Sequence, residues 1–196
     1  MRHKGIDRAQ MGARVLAAAG RAFRKNGFSG IGIDGLAKEA GVTSGAFYSH
    51  FGSKRGAFLK ALEAGLDEVL VRLPQLQMDA GENWVKAFAE YYLNQGHRRD
   101  LECGCAMASL TTDVVRSDKA AHMLYEKKML AIVDQVAEGL DDGTVEERRG
   151  RAWSVLGILI GGLNVARAMH AQDSIEEIAC AIRSAAVVAA GPTKAL

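Results

Sequence analysis

The 196-residue chain is 48% hydrophobic, with two prolines and three cysteines, and its 25 Lys/Arg against 23 Asp/Glu leave a formal net charge of +2. That length suits one or two units with a sizeable core, and an odd cysteine count argues against a disulfide framework. The longest apolar run, residues 155–163, is too short to span a bilayer; the N-terminus MRHKGIDRAQ lacks the apolar core of a secretory signal, so a cytoplasmic location without membrane contact is expected. No alternating β pattern with turn pairs recurs, which predicts an all-α chain of about nine helices. Split along the sequence, the charge is lopsided. Residues 1–60 hold eleven Lys/Arg and three acids, a charge of +8, and the fourteen basic and twenty acidic residues that follow give −6. A basic head on an acidic body fits a polyanion partner, with a solvated basic surface as the alternative.

In chain order, residues 1–6 read as a basic arm, and helix one is expected from about Asp7 to Lys25, with Val15, Leu16, Ala19, Ala22 and Phe23 inward and Gly27 ending it. Arg8 and Arg14 are candidates for phosphate steering, or simply solvated. Leu36, Ala37 and Ala40 mark a short second helix that Gly41 stops, since glycine takes the left-handed conformation of a helix end at little steric cost. Thr43 or Ser44 caps a third helix whose inward side is Ala46, Phe47 and Phe51. Two short helices around a glycine turn form a helix-turn-helix, whose second helix can enter the DNA major groove. The candidate DNA-contacting residues are Thr43, Ser44, Gly45, Tyr48, Ser49, His50 and Lys54. Glycine permits close backbone approach, and Tyr48, His50 and Lys54 can reach phosphates. The competing reading is a tight helical corner with a solvated face. Helix four follows from Lys54, with Phe58, Leu59, Leu62, Leu66, Val69 and Leu70 at helical spacing, and Pro74 is expected to stop it.

The ordered set Ala18, Ala19, Phe23, Gly27, Phe28, Leu36, Ala37, Ala40, Gly41, Val42, Gly45, Phe47, Tyr48, His50, Phe51, Lys54 and Leu59 resembles the DNA-binding domain of the TetR/AcrR family of bacterial transcriptional regulators. One departure is that Gly32 and Ile33 stand where that family often has a Ser or Thr cap. The resemblance implies a DNA-binding domain over residues 1–53 and a ligand-binding and dimerisation domain over 54–196. It also implies a homodimer through the last two helices, an operator duplex as partner, and repression lifted by a small-molecule inducer. No cofactor, metal or enzymatic activity is expected, because no phosphate loop, nucleophile elbow or metal-spaced His/Glu set occurs. Cys103 and Cys105, one residue apart with no second ligand pair, do not make a zinc site.

The rest of the chain predicts a fifth helix from about Glu82 to His97, a sixth from Gly104 to Val115, and a seventh capped by Asp118 and running to Leu140. An eighth, capped by Thr144, runs to His170, and a ninth, capped by Ser174, ends at Gly191. Gly157, Gly161 and Gly162 in the eighth, and Ile175, Ile178, Ala179, Ile182 and Ala186 in the ninth, read either as a contact between two copies or as ordinary core. Trp84, Phe88, Tyr91, Tyr92, Met107, Tyr125, Met129, Trp153 and Met169 are candidates for an adaptable apolar ligand pocket, or plain core. His122 and His170 are possible polar handles of that pocket. CGCAMASL resembles a Gly-Cys-x-x-x-x-Leu segment in one branch of the family, with Gly104, Cys105 and Leu110 in the matching positions. By that resemblance Cys105 is a candidate electrophile or redox sensor: a thiol at a helix N-terminus has a lowered pKa. Its alternative is a small residue packing the turn. Cys103 is a candidate resolving thiol to another chain.

Overall fold

Eleven α-helices and one 3₁₀ turn (residues 81–83) account for nearly all of residues 3–102 and 104–194, which the computed structural model describes, with side chains from Ala9 onward. The helices are α1 (His3–Asn26), α2 (Ile33–Ala40), α3 (Ser44–Phe51), α4 (Lys54–Ala80), α5 (Trp84–Tyr92), α6 (Gln95–Arg99), α7 (Ala106–Ser109), α8 (Thr111–Val115), α9 (Lys119–Glu138), α10 (Val145–Ala168) and α11 (Gln172–Ala190). The fold is all-α. Among the described residues no helix is long and apolar enough to cross a membrane. Cys103 and the Arg8 side chain lie outside the described residues.

Chain contacts define two compact units: Met1–Gly65 with Leu101–Tyr125, and Leu66–Asp100 with Glu126–Leu196. The first is built on aromatic packing. Phe23 meets Phe58 edge-on at 5.5 Å between ring centres, and Phe28 meets Phe58 at 5.2 Å. Val15, Ala19, Leu36, Phe47 and Leu62 complete a core closed to solvent. The segment 101–125 joins this core through backbone and small residues. Arg24 Nε donates to the Glu102 carbonyl at 2.8 Å, and a Cβ on Gly65 would stand 2.6 Å from Ala106 Cβ, so α4 and α7 approach closely only because Gly65 is bare.

The second unit centres on α10 and α11, an antiparallel pair packed with α5. Thr144 opens α10 with a capping box: its hydroxyl accepts from Glu147 N at 3.2 Å and Glu147 Oε2 accepts from Thr144 N at 2.7 Å. Ala179 and Ala186 of α11 are fully buried, and a Cβ on Gly162 would lie 2.5 Å from Ile182 Cγ2. Gly162, Ala179, Ile182 and Ala186 therefore serve packing within one chain. Gly157 and Gly161 differ, for a Cβ at either would meet nothing within 4 Å.

Several expected boundaries shift. α1 begins at His3 rather than near Asp7. Pro74 does not end α4, which continues to Ala80 with Leu73 and Leu76 buried on either side of it. The expected fifth helix is broken at Leu93–Asn94, where Asn94 Oδ1 accepts from His97 N at 2.9 Å and starts α6 afresh. The expected sixth is broken at Leu110, where the Thr111 hydroxyl donates to the Met107 carbonyl that a continuous ladder would use. With these two breaks, about nine expected helices appear as eleven helical segments among the described residues. α11 starts at Gln172 after Ala171, so Ser174 lies within its first turn and is not its cap.

Candidate nucleic-acid interface

The turn between α2 and α3 opens on a backbone closure. Gly41, at φ 67°, donates to the Lys38 carbonyl at 3.1 Å while Val42 N donates to Ala37 O at 3.0 Å, a paired C-terminal closure that needs a left-handed residue at 41. Thr43 then caps α3, its hydroxyl accepting from Ala46 N at 3.2 Å. Ser44 acts differently, for its hydroxyl donates to Asp34 Oδ1 at 2.6 Å and ties α3 back to α2. Phe47 is fully buried and packs on Phe51 at 4.7 Å, which anchors the inward side of α3.

The opposite side carries the polar set in two groups. Thr43, Gly45, Tyr48 and Ser49 are exposed, Tyr48 at 49%, and nothing lies within 4 Å of a Cβ built on Gly45. His50 and Lys54 are half-buried: the His50 ring lies 3.9 Å from a Cβ built on Gly12, and Lys54 Nζ sits 4.5 Å above the Phe28 ring. The Gly32 N-cap of α2 makes no side-chain bond. Sequence reasoning missed Asp34 as the partner of Ser44. It also missed Ser53, whose hydroxyl accepts from Gly56 N at 2.9 Å at the start of α4; a serine just ahead of a helix was the available signal.

Arg55, in the first turn of α4, forms a two-toothed ion pair with Asp118. That fork holds the Asp118 carboxyl down at about 2 and raises Arg55. Beside it, Phe28, Phe58, Leu59, Asp113 and Arg116 help line a pocket of 310 Å³.

Cys105 is half-buried and immediately precedes α7, which is four residues long. Because the expected sixth helix is broken, the dipole invoked to lower the thiol pKa is that of a single turn. Tyr125 lies near enough for negative charge on Cys105 to raise its phenol, though burial is the larger cause, and its hydroxyl is 2.8 Å from Thr111 Oγ1. Met107 is buried on α7, so Met107 and Tyr125 belong to the first unit.

Of the other aromatic candidates, Trp84, Phe88, Tyr92 and Met129 are buried in the second unit. The Trp84 indole donates to the Gly139 carbonyl at 3.0 Å, and Phe88 and Tyr92 meet edge-on at 5.7 Å. Tyr91 is partly exposed under Arg72, and Trp153 is 44% exposed on α10. Met169 and His170 are exposed at the α10–α11 turn, and His122 is exposed on α9.

A capped recognition helix with an exposed polar side, on a helical body, defines a helix-turn-helix DNA-binding protein. Residues 15–61 match the family model for bacterial regulatory proteins of the tetR family. The transcriptional repressor NemR of Escherichia coli K12 is 26% identical over 132 residues, 66% of either chain. The regulatory protein RaaS of Mycobacterium tuberculosis is 28% identical over 139 residues, 70% of this chain and 60% of that protein. The chain thus spans about two thirds of the length of the curated relatives it matches in this way. In fold, the reduced form of E. coli NemR superposes with a TM-score of 0.72 at 19% identity, covering 94% of this chain and 98% of that one. A TetR-family regulator from Agrobacterium tumefaciens superposes at 0.74 with 14% identity, covering 90% and 97%. Residues 15–61 thus carry a DNA-binding domain of the tetR-family type, and the chain shares the fold of TetR-family regulators.

Proposed function

We propose that the protein is a homodimeric transcriptional repressor that binds an operator duplex through α3 and leaves it when a small molecule binds. The observation that carries this reading is the exposed Gly45–Tyr48–Ser49 side of a capped helix, in a stretch of charge +8 over residues 1–60. Gly45, Thr43 and Ser49 read base edges and groove shape, Tyr48 meets phosphate, and Ser44, His50 and Lys54 hold the motif's geometry or join at its rim. Functionally, residues 1–53 are the DNA-binding domain and residues 54–196 the regulatory and dimerisation domain. Because segment 101–125 packs with the head, a displacement of that segment is a direct route to α3.

The effector enters among Trp84, Phe88, Tyr91, Tyr92 and Met129, whose aromatic and thioether side chains repack readily. Cys105 beside Tyr125 is a second input, as an electrophile sensor. Dimerisation uses α10 and α11, with Gly157 and Gly161 presenting bare backbone to a second copy. NemR is named a repressor, which supports that sense of regulation.

The test is an anisotropy titration of the full chain against duplex from its own upstream region at 50–200 mM salt. Six or more phosphate contacts predict a loss of about 10³-fold or more across that range. Gly45→Leu, whose side chain has open space in the fold, should bind at least about tenfold more weakly, ~1.4 kcal/mol, with unchanged thermal stability. Salt-insensitive binding, or a Gly45→Leu variant of full affinity, would sink the proposal.

A further inference from the structure

The first unit holds a pocket of 310 Å³ where the end of α1, the start of α4 and the α8–α9 junction meet. Phe58 and Ala121 close its bottom, and Phe28 and Leu59, each half-buried, offer apolar surface at its walls. Its volume stands near the lower bound of the roughly 300–1,000 Å³ typical of small-molecule sites. Of the charged groups around it, most are answered by the chain itself. Arg55 and Asp118 pair with each other, and Asp118 Oδ1 also accepts from Ala120 N and Ala121 N at the start of α9. Ser53 accepts from Gly56 N at the start of α4, so both of these positive helix ends have an acceptor. Arg116, exposed at the rim, donates through Nη1 to the Thr112 carbonyl at 3.1 Å.

Asp113 is the group left over. It is half-buried and lines the pocket, and among the described residues its carboxylate has no hydrogen bond or ion pair. The Ser117 hydroxyl donates at 2.7 Å to the Asp113 backbone carbonyl and not to the side chain. Both carboxylate oxygens lie 3.5 Å from a Cβ built on Gly27, the residue that follows α1. The last carbonyls of that 24-residue helix are the negative end of its dipole, so Asp113 sets like charge beside like. The basic side chains of the same turn are directed to Glu102 instead: Arg24 Nε donates to its carbonyl at 2.8 Å, and Lys25 Nζ pairs with its carboxylate at 2.6 Å.

We propose that this pocket binds a small protonated amine carrying one aromatic or branched apolar group. Its N–H groups donate to Asp113 in charge-assisted hydrogen bonds, the helix end favours the same cation, and the apolar part lies against Phe28 and Leu59. The site is distinct from the aromatic cluster of the second unit. Phe28 also carries Lys54 Nζ 4.5 Å above its ring. On the operator reading above, an amine seated here adjoins the rim of the DNA-contacting set, though its binding does not depend on that reading.

The test uses the full chain without DNA, so its failure is separable from failure of the operator reading. Three probes of one shape are titrated calorimetrically: 2-phenylethylamine hydrochloride, 3-phenylpropionate and 2-phenylethanol, at equal ionic strength. Saturable binding of the amine, at least tenfold tighter than that of the acid or the alcohol, is the expected result. Asp113→Asn should weaken the amine at least tenfold. Arg116→Gln, which removes a positive charge from the rim, should bind it as tightly or more so. Amide exchange of the wild type with the amine present should slow at residues 27–29 and 113–118. If Asp113→Asn does not fold, the three-probe comparison and the exchange map on the wild type decide alone. The proposal is overturned if the amine does not bind or if the acid or alcohol binds as well. Full affinity in a folded Asp113→Asn, or protection confined to other residues, overturns it too.

Discussion

Thr43 and Ser44 are adjacent hydroxyls with separate consequences. Thr43 satisfies the Ala46 amide at 3.2 Å, one of the four that the start of α3 leaves without helical partners, whereas Ser44 reaches Asp34 at 2.6 Å. Replacing an N-cap threonine by alanine costs about 1 kcal/mol. For a helix of eight residues that is a large share of its local stability. Thr43→Ala should therefore speed amide exchange at Ala46 and Phe47 by roughly fivefold, while Ser44→Ala, which leaves that cap intact, should not. Equal acceleration by the two variants would mean that the Ser44–Asp34 link, and not the cap, holds the start of α3. The exposed residues of this helix were legible in the sequence because Phe47 and Phe51 fix its inward side by spacing alone. The Ser44–Asp34 bond and the Lys54 perch on Phe28 were not, since each depends on a partner ten or more residues away whose direction no local pattern encodes.

At the scale of elements, local signals succeeded where local forces decide. Gly41, Thr43, Thr144 and Gly191 each end or start a helix as their conformational preferences require. Pro74 failed as a stop because burial of Leu73, Leu76 and Gln77 continues α4 through it; tertiary packing outweighs a cost of about 3 kcal/mol. The expected sixth helix breaks at Leu110, where the Thr111 hydroxyl donates to the Met107 carbonyl and also lies 2.8 Å from the Tyr125 hydroxyl, fourteen residues on. Asp118, which immediately precedes α9, has two roles. Its Oδ1 caps the helix, accepting from Ala120 N at 3.0 Å and Ala121 N at 3.3 Å, and its carboxylate pairs with Arg55. The Arg55 hydrogen bonds depress its folded-state pKa from 3.8 to about 2. A depressed carboxyl contributes stability that is fully present above its unfolded pKa and lost as pH falls through the folded value. Asp118→Asn keeps a capping oxygen and removes the charge. The stability gap between wild type and Asp118→Asn should therefore be constant above about pH 5 and close between about pH 4 and 2. Chemical denaturation across that range checks it, and a gap that persists undiminished at pH 2 would show that the ion pair is not its source.

For the molecule as a whole, the three glycines of α10 divide into one that packs within the chain and two that face open space. Gly162 faces Ile182, whose branched side chain would stand 2.5 Å from an added Cβ; Gly157 and Gly161 face open space. One turn from them along α10, Trp153 at 44% and Val165 at 52% are exposed large apolar side chains, and on α11 Val188 is 81% exposed. Alanine is favoured over glycine in a helix interior by roughly 0.5–1 kcal/mol, so bare backbone at two solvent-facing turns of α10 forgoes local stability. In the homodimer proposed above, a second copy seated there recovers it, since close backbone approach needs the missing Cβ. Gly161→Leu should then leave each protomer folded and weaken self-association by at least about tenfold, ~1.4 kcal/mol. Gly162→Ala should do the reverse, lowering protomer stability by about 1–3 kcal/mol through overpacking, with little change in the association constant. Sedimentation equilibrium and denaturation of both variants decide the matter. If Gly161→Leu associates as wild type does, α10 is not the seam between copies, and the exposed valines of α11 must find another partner.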